Sequence, residues 1–481
     1  MAENNSSFKP TLGLLDGTMI VAGSMIGSGI FIVSADILRN VGSAGWLIAV
    51  WVLTGFMTIT AAVSYGELSG MYPKAGGQYV YLKEAYNPLM GFLYGWSFFA
   101  VIQTATIAAV GVAFSKFLAY MVPELGNNHL LYDLGFLKIH SGQLVAIFII
   151  VLLTFVNSRG VREGKFIQTI FTSTKLLALF GLIAFGFLLV KESYWSANWS
   201  SGFTAMQNVG VKNAAGDTVY QGWLPVSGAA LMGAIAASMV GSIFSSDAWN
   251  NVTFIAGEMK NPQRNIGLSL FLGTLIVTVI YVSANLMYLN VLPLDKLAFP
   301  TDDRVAVAAA NVIFPSFGTT LIALLIMVST FGCNNGLIMA GARVYYTMAK
   351  DGLFFKKVGE LNRHSVPQLA LWIQCVVAAI WSLSGKYGQL LDMISFVVVL
   401  FYMLTIAGIF ILRRKRPELP RPYKAFGYPF LPALYILMGA AFCVLLIIYK
   451  PEFTWPGFII VLLGIPLYYL ALGQGAKTTK K

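Results

Sequence analysis

The first apolar stretch of the chain, residues 12–33, is interrupted at its centre by a cluster of small residues. Three glycines and two serines lie within Gly23–Phe31, although glycine costs about 1 kcal/mol relative to alanine in a helix interior. In lipid, unpaired backbone groups are tolerated only where they line a cavity or are buried in protein. The segment therefore predicts either a broken helix facing a ligand or a small-residue face for close helix packing.

The composition predicts an all-α integral membrane protein. Of the 481 residues, 57% are hydrophobic and only 11% are charged, whereas soluble domains are about one quarter charged. A helical span needs about 20 mainly apolar residues, so we predict about twelve spans. They lie at residues 12–34, 45–69, 89–122, 141–157, 166–190, 226–256, 265–292, 318–349, 367–386, 389–412, 428–449 and 455–473.

The net charge of +12 is explained by topology. With a cytoplasmic N-terminus and loops assigned alternately, most lysine and arginine falls on the inner side, including the run Arg413–Arg416. The positive-inside rule then predicts that both terminal segments, 1–10 and 474–481, lie in the cytoplasm. We expect a multi-pass protein of the plasma membrane. The loop 413–427 is then a basic cytoplasmic loop, and 191–225 an extracellular loop in which the segment 203–222 has the composition of a solvated loop.

The sequence offers no catalytic or metal-binding pattern. Cys333, Cys375 and Cys443 all fall inside predicted spans, so neither a disulfide framework nor a metal site is expected. No zinc-protease motif, phosphate-binding loop or serine triad is evident, and the three histidines lie in loops. We therefore expect a protein that is not an enzyme and needs no cofactor.

The two halves of the chain carry matching interruptions. Spans one to five, within residues 11–190, begin with the Gly23–Phe31 segment, and spans six to ten, within 226–412, begin with a span that contains Gly241–Asn251. Because five is odd, the second set enters the membrane in the opposite sense. Matching interruptions in such halves indicate the binding site of an inverted-repeat transporter. Two further spans, within residues 428–473, complete the chain.

Backbone groups freed at the first break suit a zwitterion. The N–H groups of Gly27, Ser28 and Gly29 begin the second half-helix, and such helix starts bind carboxylates. The carbonyls of Met25 and Ile26 are freed at the same break and suit an ammonium group.

The second break supplies further carbonyls around Phe244–Asp247. Acceptors for an ammonium beside donors for a carboxylate describe an α-amino acid recognised by its backbone, although other zwitterions also satisfy the pattern. Phe244 either closes over the substrate from outside or packs against lipid or core. Asp247 either caps a helix end, pairs with a cation or helps to bind the substrate amine.

Lys175 lies a few residues inside the fifth span, where an ionisable group is a functional candidate by default. We expect its ammonium to meet first-span carbonyls and polar groups of the eighth span, or else to snorkel to the inner interface. In the first case it replaces a bound sodium ion or carries a proton. The eighth-span candidates are Ser329, Thr330, Cys333 and Asn334, with Asn335 beside them.

Glu67 and Glu258 lie near inner span ends. They either form ion pairs that gate the site or are solvated helix ends, and the second interpretation is favoured by their position.

Several segments together resemble the amino acid–polyamine–organocation superfamily and, within it, the L-type amino acid transporter family. They are Gly23–Phe31, Pro73–Tyr79, Phe244–Asn250, Gly257–Pro262 and Arg421–Lys424. The resemblance implies a leucine-transporter-type fold, in which two inverted five-helix repeats with broken helices 1 and 6 are followed by two extra helices. It also implies alternating-access amino acid transport that is usually sodium-independent and often obligatory exchange.

The resemblance also implies roles for individual residues. Met25, Ile26, Gly27, Ser28 and Gly29 would contact the amino acid backbone, and Lys175 matches the lysine that occupies a sodium-like site. Phe244 matches the aromatic residue that gates the site, and Ser245 and Asp247 match positions beside it.

Two departures from the family pattern bear on partners and substrate. The outer loop at 121–141 lacks the cysteine through which animal members join a glycoprotein heavy chain, so no disulfide-linked partner is expected and the chain resembles bacterial members. Asp247 replaces a glycine found in many animal members. That replacement leaves open how the substrate amine is bound.

We therefore expect a sodium-independent exchanger of neutral amino acids, with side chains discriminated near Phe244 and the eighth and tenth spans. The alternatives are a proton-coupled symporter in which Lys175 titrates, and an amino acid sensor that does not transport.

Overall fold

The computed structural model describes residues 10–478 apart from 127–128, 134, 136–137, 213–217, 316 and 385–386. Within this part of the chain, nine helices are long and apolar enough to cross a membrane, and three shorter apolar helices cover residues 14–25, 368–383 and 454–470. These correspond to the twelve predicted spans, so the all-α membrane fold is confirmed. We call the side that the positive-inside rule predicts to be cytoplasmic the inner side, and the opposite side the outer side.

Most spans are single helices. In order from the second span, the continuous helices are Ala44–Met71, Ser141–Arg159, Val161–Leu188, Pro262–Val291, Phe317–Lys350, Gln368–Ser384, Tyr387–Lys415, Phe430–Tyr449 and Pro451–Thr478. Span three contains a π-helical turn, Phe98–Ile102, between the α-helices Pro88–Ser97 and Gln103–Met121. The short connecting helices are Gln78–Ala85, Pro123–Leu125, Trp195–Trp199, Leu294–Ala298, Thr301–Asp303, Val305–Ile313 and Lys356–Gly359.

Spans one and six are broken, as predicted. Span one consists of Leu14–Met25, a 3-10 turn at Gly29–Phe31 and Val33–Val41. Span six consists of Gly228–Ser245, Asn251–Phe254 and a 3-10 turn at Ala256–Glu258.

Span one runs further than expected. The sequence predicts its end at residue 34, whereas the second half-helix continues to Val41 and stops at Gly42, whose φ is 62°. This half-helix carries the charged residues Asp36 and Arg39. Because of these charges, a count of apolar residues does not extend the predicted span through it. The left-handed conformation at Gly42 is one that glycine adopts without steric cost.

Two antiparallel hairpins lie between spans on the outer side. Leu130–Asp133 pairs with Lys138–His140, and Met206–Lys212 pairs with Thr218–Pro225. The segment 203–222, which is expected to be a solvated loop, contains parts of both strands of the second hairpin, whose pairing satisfies much of its backbone. The turn of the second hairpin lies outside the described residues.

The two broken spans pack against each other at the centre of the fold, surrounded by spans five, seven and eight. They come close together at Gly29, where an added Cβ would lie 2.5 Å from the Cβ of Ser245. Small residues allow two backbones to come this close. The cluster thus breaks the helix and also forms a packing face, while its facing a ligand stays a prediction.

Backbone pairing ties the inner halves of the broken spans together. The N–H groups of Thr11 and Leu12 donate to the carbonyl of Glu258 at 2.9 and 3.0 Å, and the N–H of Lys260 donates to Leu12 at 2.8 Å. The chain just before span one is thus joined to the chain just after span six, which positions both breaks relative to each other.

Candidate functional site

The first break begins where Leu14–Met25 ends. The N–H of Gly27 donates to the carbonyl of Met25 at 2.8 Å, which closes a three-residue γ-turn. The expectation that this N–H is offered to a ligand is therefore wrong in this conformation. The other two expected donors, the N–H groups of Ser28 and Gly29, follow the γ-turn. The 3-10 turn begins at Gly29.

Lys175 reaches the first break from span five. Its Nζ donates to the carbonyls of Gly23 at 2.5 Å and Ile26 at 2.7 Å, and the side chain is fully buried. These carbonyls lack helical partners because the helix ends there. The ammonium thus lies against first-span carbonyls, in the predicted position, and the snorkelling alternative is wrong.

Span eight lines the same break through two of its predicted residues. The hydroxyl of Ser329 donates to Ile26 O at 3.3 Å, and the thiol of Cys333 donates to Ser24 O at 3.1 Å. These two side chains are one helical turn apart and share a face.

The other eighth-span candidates behave differently. Thr330 donates to carbonyls of its own helix, those of Ile326 and Met327. The side-chain amide of Asn334 is buried, with neither its nitrogen nor its oxygen paired within the described residues. The structure therefore brings Ser329 and Cys333, but not the hydroxyl of Thr330, to the carbonyls of the first break.

The second break follows Ser245, whose hydroxyl donates to Gly241 O at 2.7 Å. Asp247 is buried and accepts a 2.5 Å hydrogen bond from the hydroxyl of Tyr402 in span ten. Ala248 has a φ of 62°, an uncommon conformation for a residue with a side chain that is often found at functional sites. Phe244 is buried just before the break.

Tyr281 of span seven joins the two breaks, although the sequence analysis did not select it. Its hydroxyl lies 3.0 Å from Met25 O and 2.9 Å from Ser245 O. Nothing in the sequence around Tyr281 separates it from a tyrosine that only packs. Only the fold shows that it faces two broken helix ends.

Glu67 and Glu258 are not solvated, and that favoured interpretation is wrong. Glu67 receives two hydrogen bonds from Arg413, at 3.0 and 2.7 Å, and Glu258 pairs with Arg343 at 3.1 Å. Both carboxylates are buried. A buried charge requires a partner, and the fold supplies these arginines from spans ten and eight.

These features define a class of protein. Two broken spans meet inside a multi-span bundle, and a buried ammonium and a tyrosine hydroxyl bind the carbonyls at the breaks. Discontinuous helices of this kind form midplane binding sites in secondary transporters.

Comparison with known proteins identifies the family. Residues 12–470 match the family model for amino acid permeases, and the chain belongs to this family, within the amino acid–polyamine–organocation superfamily that the motifs indicate.

Alignments with three relatives cover most of this chain and most of each relative. The chain is 28% identical to the human large neutral amino acids transporter small subunit 2, over 97% of this chain and 81% of the relative. It is also 28% identical to the mouse Asc-type amino acid transporter 1, over 98% and 83%, and to the human b(0,+)-type amino acid transporter 1, over 97% and 88%. The family and these relatives are transporters rather than enzymes, and they support amino acid transport through a membrane as the activity.

Proposed function

We propose that this protein is a sodium-independent exchanger of neutral amino acids. It works by alternating access to a site between spans one and six. Substrate contacts are assigned to Met25, Ile26, Gly27, Ser28 and Gly29 of the first break and to Phe244, Ser245 and Asp247 of the second.

The substrate backbone is recognised by groups of opposite character. Its carboxylate binds at the backbone around Ser28 and Gly29, where donors at the start of a helical segment favour an anion. Its ammonium binds at the second break beside Ser245 and Asp247. The close approach of Gly29 to Ser245 supports this arrangement, because it puts both subsites within the reach of one small zwitterion.

The observation that carries the proposal is the contact of Lys175 with the first break. The ammonium lies 2.5 and 2.7 Å from two carbonyl oxygens, a set of ligands that would also suit a monovalent cation. A covalently attached charge at this point removes the need for a sodium ion. In this proposal, the return of another amino acid takes the place of an ion gradient as the driving force.

The proposal includes the predicted topology. The two repeats lie at 11–190 and 226–412, one helix bundle rocks against another around the site in the plasma membrane, and both termini are cytoplasmic. No disulfide-linked heavy chain is required, since the outer loop at 121–141 has no cysteine.

The experiment uses the purified full chain in liposomes. Uptake of labelled amino acids is followed into empty vesicles and into vesicles loaded with unlabelled amino acids, with and without sodium and with and without a pH gradient. Uptake that requires loading and ignores sodium is the expected result. Uptake into empty vesicles would contradict exchange, and binding without uptake would indicate a sensor.

A second candidate is proton-coupled symport, with Lys175 as the proton carrier. It is favoured by a small cavity beside Lys175, between spans one, five and eight. The cavity is lined by Phe31, Lys175, Ala178, Leu182, Ile322, Leu325 and Ile326. Uptake into empty vesicles that depends on outside acid would support this candidate in place of exchange.

A further inference from the structure

The loop that joins spans ten and eleven carries a dense cluster of positive charge on the inner side. Residues 413–424 contain six lysines and arginines but only one carboxylate, that of Glu418. The positive-inside rule accounts for an excess of positive charge on this side. It does not require that the charges be held in a fixed arrangement, as they are here.

The buried carboxylate of Glu67, at the inner end of span two, anchors this loop. Arg413 donates to it at 3.0 and 2.7 Å, and the Nε of Arg421 lies 3.4 Å from it. The guanidinium of Arg421 also donates to the carbonyls of Leu412 at 3.1 Å and Leu419 at 2.9 Å. The chain is thus folded back against the end of span ten, and two of its six cations hold it there.

Other cations of the loop have no such task. Arg416 lies 3.9 Å from Glu84, whereas Arg414 and Lys424 are exposed and form no ion pair with any described residue. A loop of fixed shape therefore presents two positive charges without countercharges on its surface. These charges favour an anionic partner at the inner face of the membrane.

Exposed aromatic side chains follow the same loop. Phe426 is 70% exposed, and Phe430, the first residue of the helix that forms span eleven, is 81% exposed. Because span eleven begins at Phe430, we expect both rings at the level of the lipid headgroups. Basic residues together with exposed aromatic rings are typical of surfaces that bind the membrane interface.

We propose that the loop 413–427 and the first turn of span eleven bind the headgroup of an anionic phospholipid in the inner leaflet. Arg414 and Lys424 bind its phosphate, and Phe426 and Phe430 contact its glycerol and upper acyl chains. Basic clusters immediately inside a span recognise anionic lipids in this way. Arginine suits a phosphate because its planar guanidinium can donate two parallel hydrogen bonds.

This lipid site is separate from the substrate site at the two breaks. It lies on the inner surface, whereas the breaks lie in the centre of the bundle. Because Glu67 ties the loop to span two, a headgroup bound to the loop stabilises the packing of spans two, ten and eleven at their inner ends. The site would bind lipid whichever solute the protein carries.

The test measures lipid binding to the purified full chain in an uncharged detergent. The probe is a short-chain phosphatidylglycerol with a fluorescent tail, and its anisotropy reports binding. Unlabelled phosphatidylglycerol should displace the probe. Phosphatidylcholine has no net charge and inorganic phosphate has no acyl chain, so both should displace it poorly. Displacement by either of them as strong as by phosphatidylglycerol would overturn the proposal of an anionic lipid site.

Two charge variants locate the site. Arg414→Gln combined with Lys424→Gln should weaken binding about twenty-five-fold, because each basic residue near an anionic lipid contributes a factor of about five. Lys356→Gln combined with Lys357→Gln is the matched control, since it removes two exposed cations from another loop of the inner side. This control should bind the probe nearly as well as the wild type. All four side chains are exposed, so both variants should fold.

A second pair of variants tests the aromatic contact. Phe426→Ala should weaken binding of the probe, because it removes a ring that contacts the lipid below its phosphate. Phe355→Ala is the control, since Phe355 is also 70% exposed but belongs to the loop after span eight. Equal affinities in these two variants would show that Phe426 does not contact the lipid.

Two outcomes of the charge variants would overturn the proposal. Unchanged affinity after Arg414 and Lys424 are replaced would show that the lipid binds elsewhere. An equal loss in the control would show a general attraction of lipid to the inner surface rather than a site. Either outcome leaves the proposed exchange of amino acids untouched, because this measurement involves no transport. A failure of exchange in liposomes would likewise leave the lipid site untouched.

Discussion

Glu258, at the inner end of span six, accepts a 3.1 Å hydrogen bond from the Nε of Arg343 in span eight. Both side chains are buried, at 3% and 1% exposure. The carbonyl of Glu258 also accepts the N–H groups of Thr11 and Leu12. This residue therefore joins the inner ends of spans one, six and eight, which must separate if the site opens inward.

The first prediction concerns that opening. Glu258→Gln leaves Arg343 without its buried countercharge, and breaking such a pair costs about 3–5 kcal/mol. Each 1.4 kcal/mol is a factor of about ten, so the inward-open population should rise at least tenfold. The native Cys333, at the first break, reports it through its rate of thiol labelling after Cys375 and Cys443 are replaced by serine.

The control for this prediction is Asp351→Asn, which removes a partly exposed partner of Lys83 and should change the labelling rate little. Equal labelling rates in the wild type and Glu258→Gln would show that the Glu258–Arg343 pair does not hold the inner side closed.

The second prediction concerns Lys175. Lys175→Ala leaves the carbonyls of Gly23 and Ile26 buried without their donor, so trans-stimulated uptake should fall about tenfold or more at equal membrane expression. Lys260→Ala, an exposed lysine of the inner side, is the control and should transport normally. Unchanged uptake kinetics in Lys175→Ala would remove the lysine from the mechanism.

The third prediction concerns the contact between the breaks. Gly29→Ala puts a methyl group 2.5 Å from the Cβ of Ser245, so the two breaks must move apart and amino acid binding should be lost. Gly181→Ala in span five is the control, because its nearest neighbour lies 3.9 Å away. Equilibrium binding of a labelled amino acid to each purified variant distinguishes Gly29→Ala from Gly181→Ala. Normal affinity in Gly29→Ala would argue against a site at this contact.

The sequence was sufficient to locate both breaks, because glycine and serine clusters stand out within apolar spans. It also placed Lys175 against first-span carbonyls, since a lone cation inside a span requires acceptors. It could not select Tyr281, because a tyrosine that bridges two breaks looks like one that only packs.

The interpretation of Glu67 failed for a related reason. Its partner Arg413 lies 346 positions further along the chain, and a charged residue at a span end is ordinarily solvated. Only the docking of span ten against span two reveals the pair. Long-range ion pairs of this kind are invisible to local patterns.

The fourth prediction concerns stability. Glu67 is buried and accepts two hydrogen bonds from Arg413 and one from the N–H of Ala425 at 2.7 Å. Glu67→Gln should lower the free energy of unfolding by about 3–5 kcal/mol. Glu84→Gln, which affects a partly exposed carboxylate 3.9 Å from Arg416, should change it by less than about 1 kcal/mol.

Glu67→Gln and Glu84→Gln are compared by thermal unfolding of the purified proteins in the same detergent. A melting temperature for Glu67→Gln equal to that of Glu84→Gln would show that the buried network contributes no more than a surface pair.

The most direct test of the account is competition by amino acid derivatives that lack one end of the zwitterion. The purified protein is bound to a labelled amino acid, and the free amino acid, its methyl ester and its N-acetyl derivative are added as competitors. If the first break binds the carboxylate and the second binds the ammonium, only the free amino acid competes strongly. Equal competition by either derivative would contradict recognition of the substrate backbone by the two broken spans.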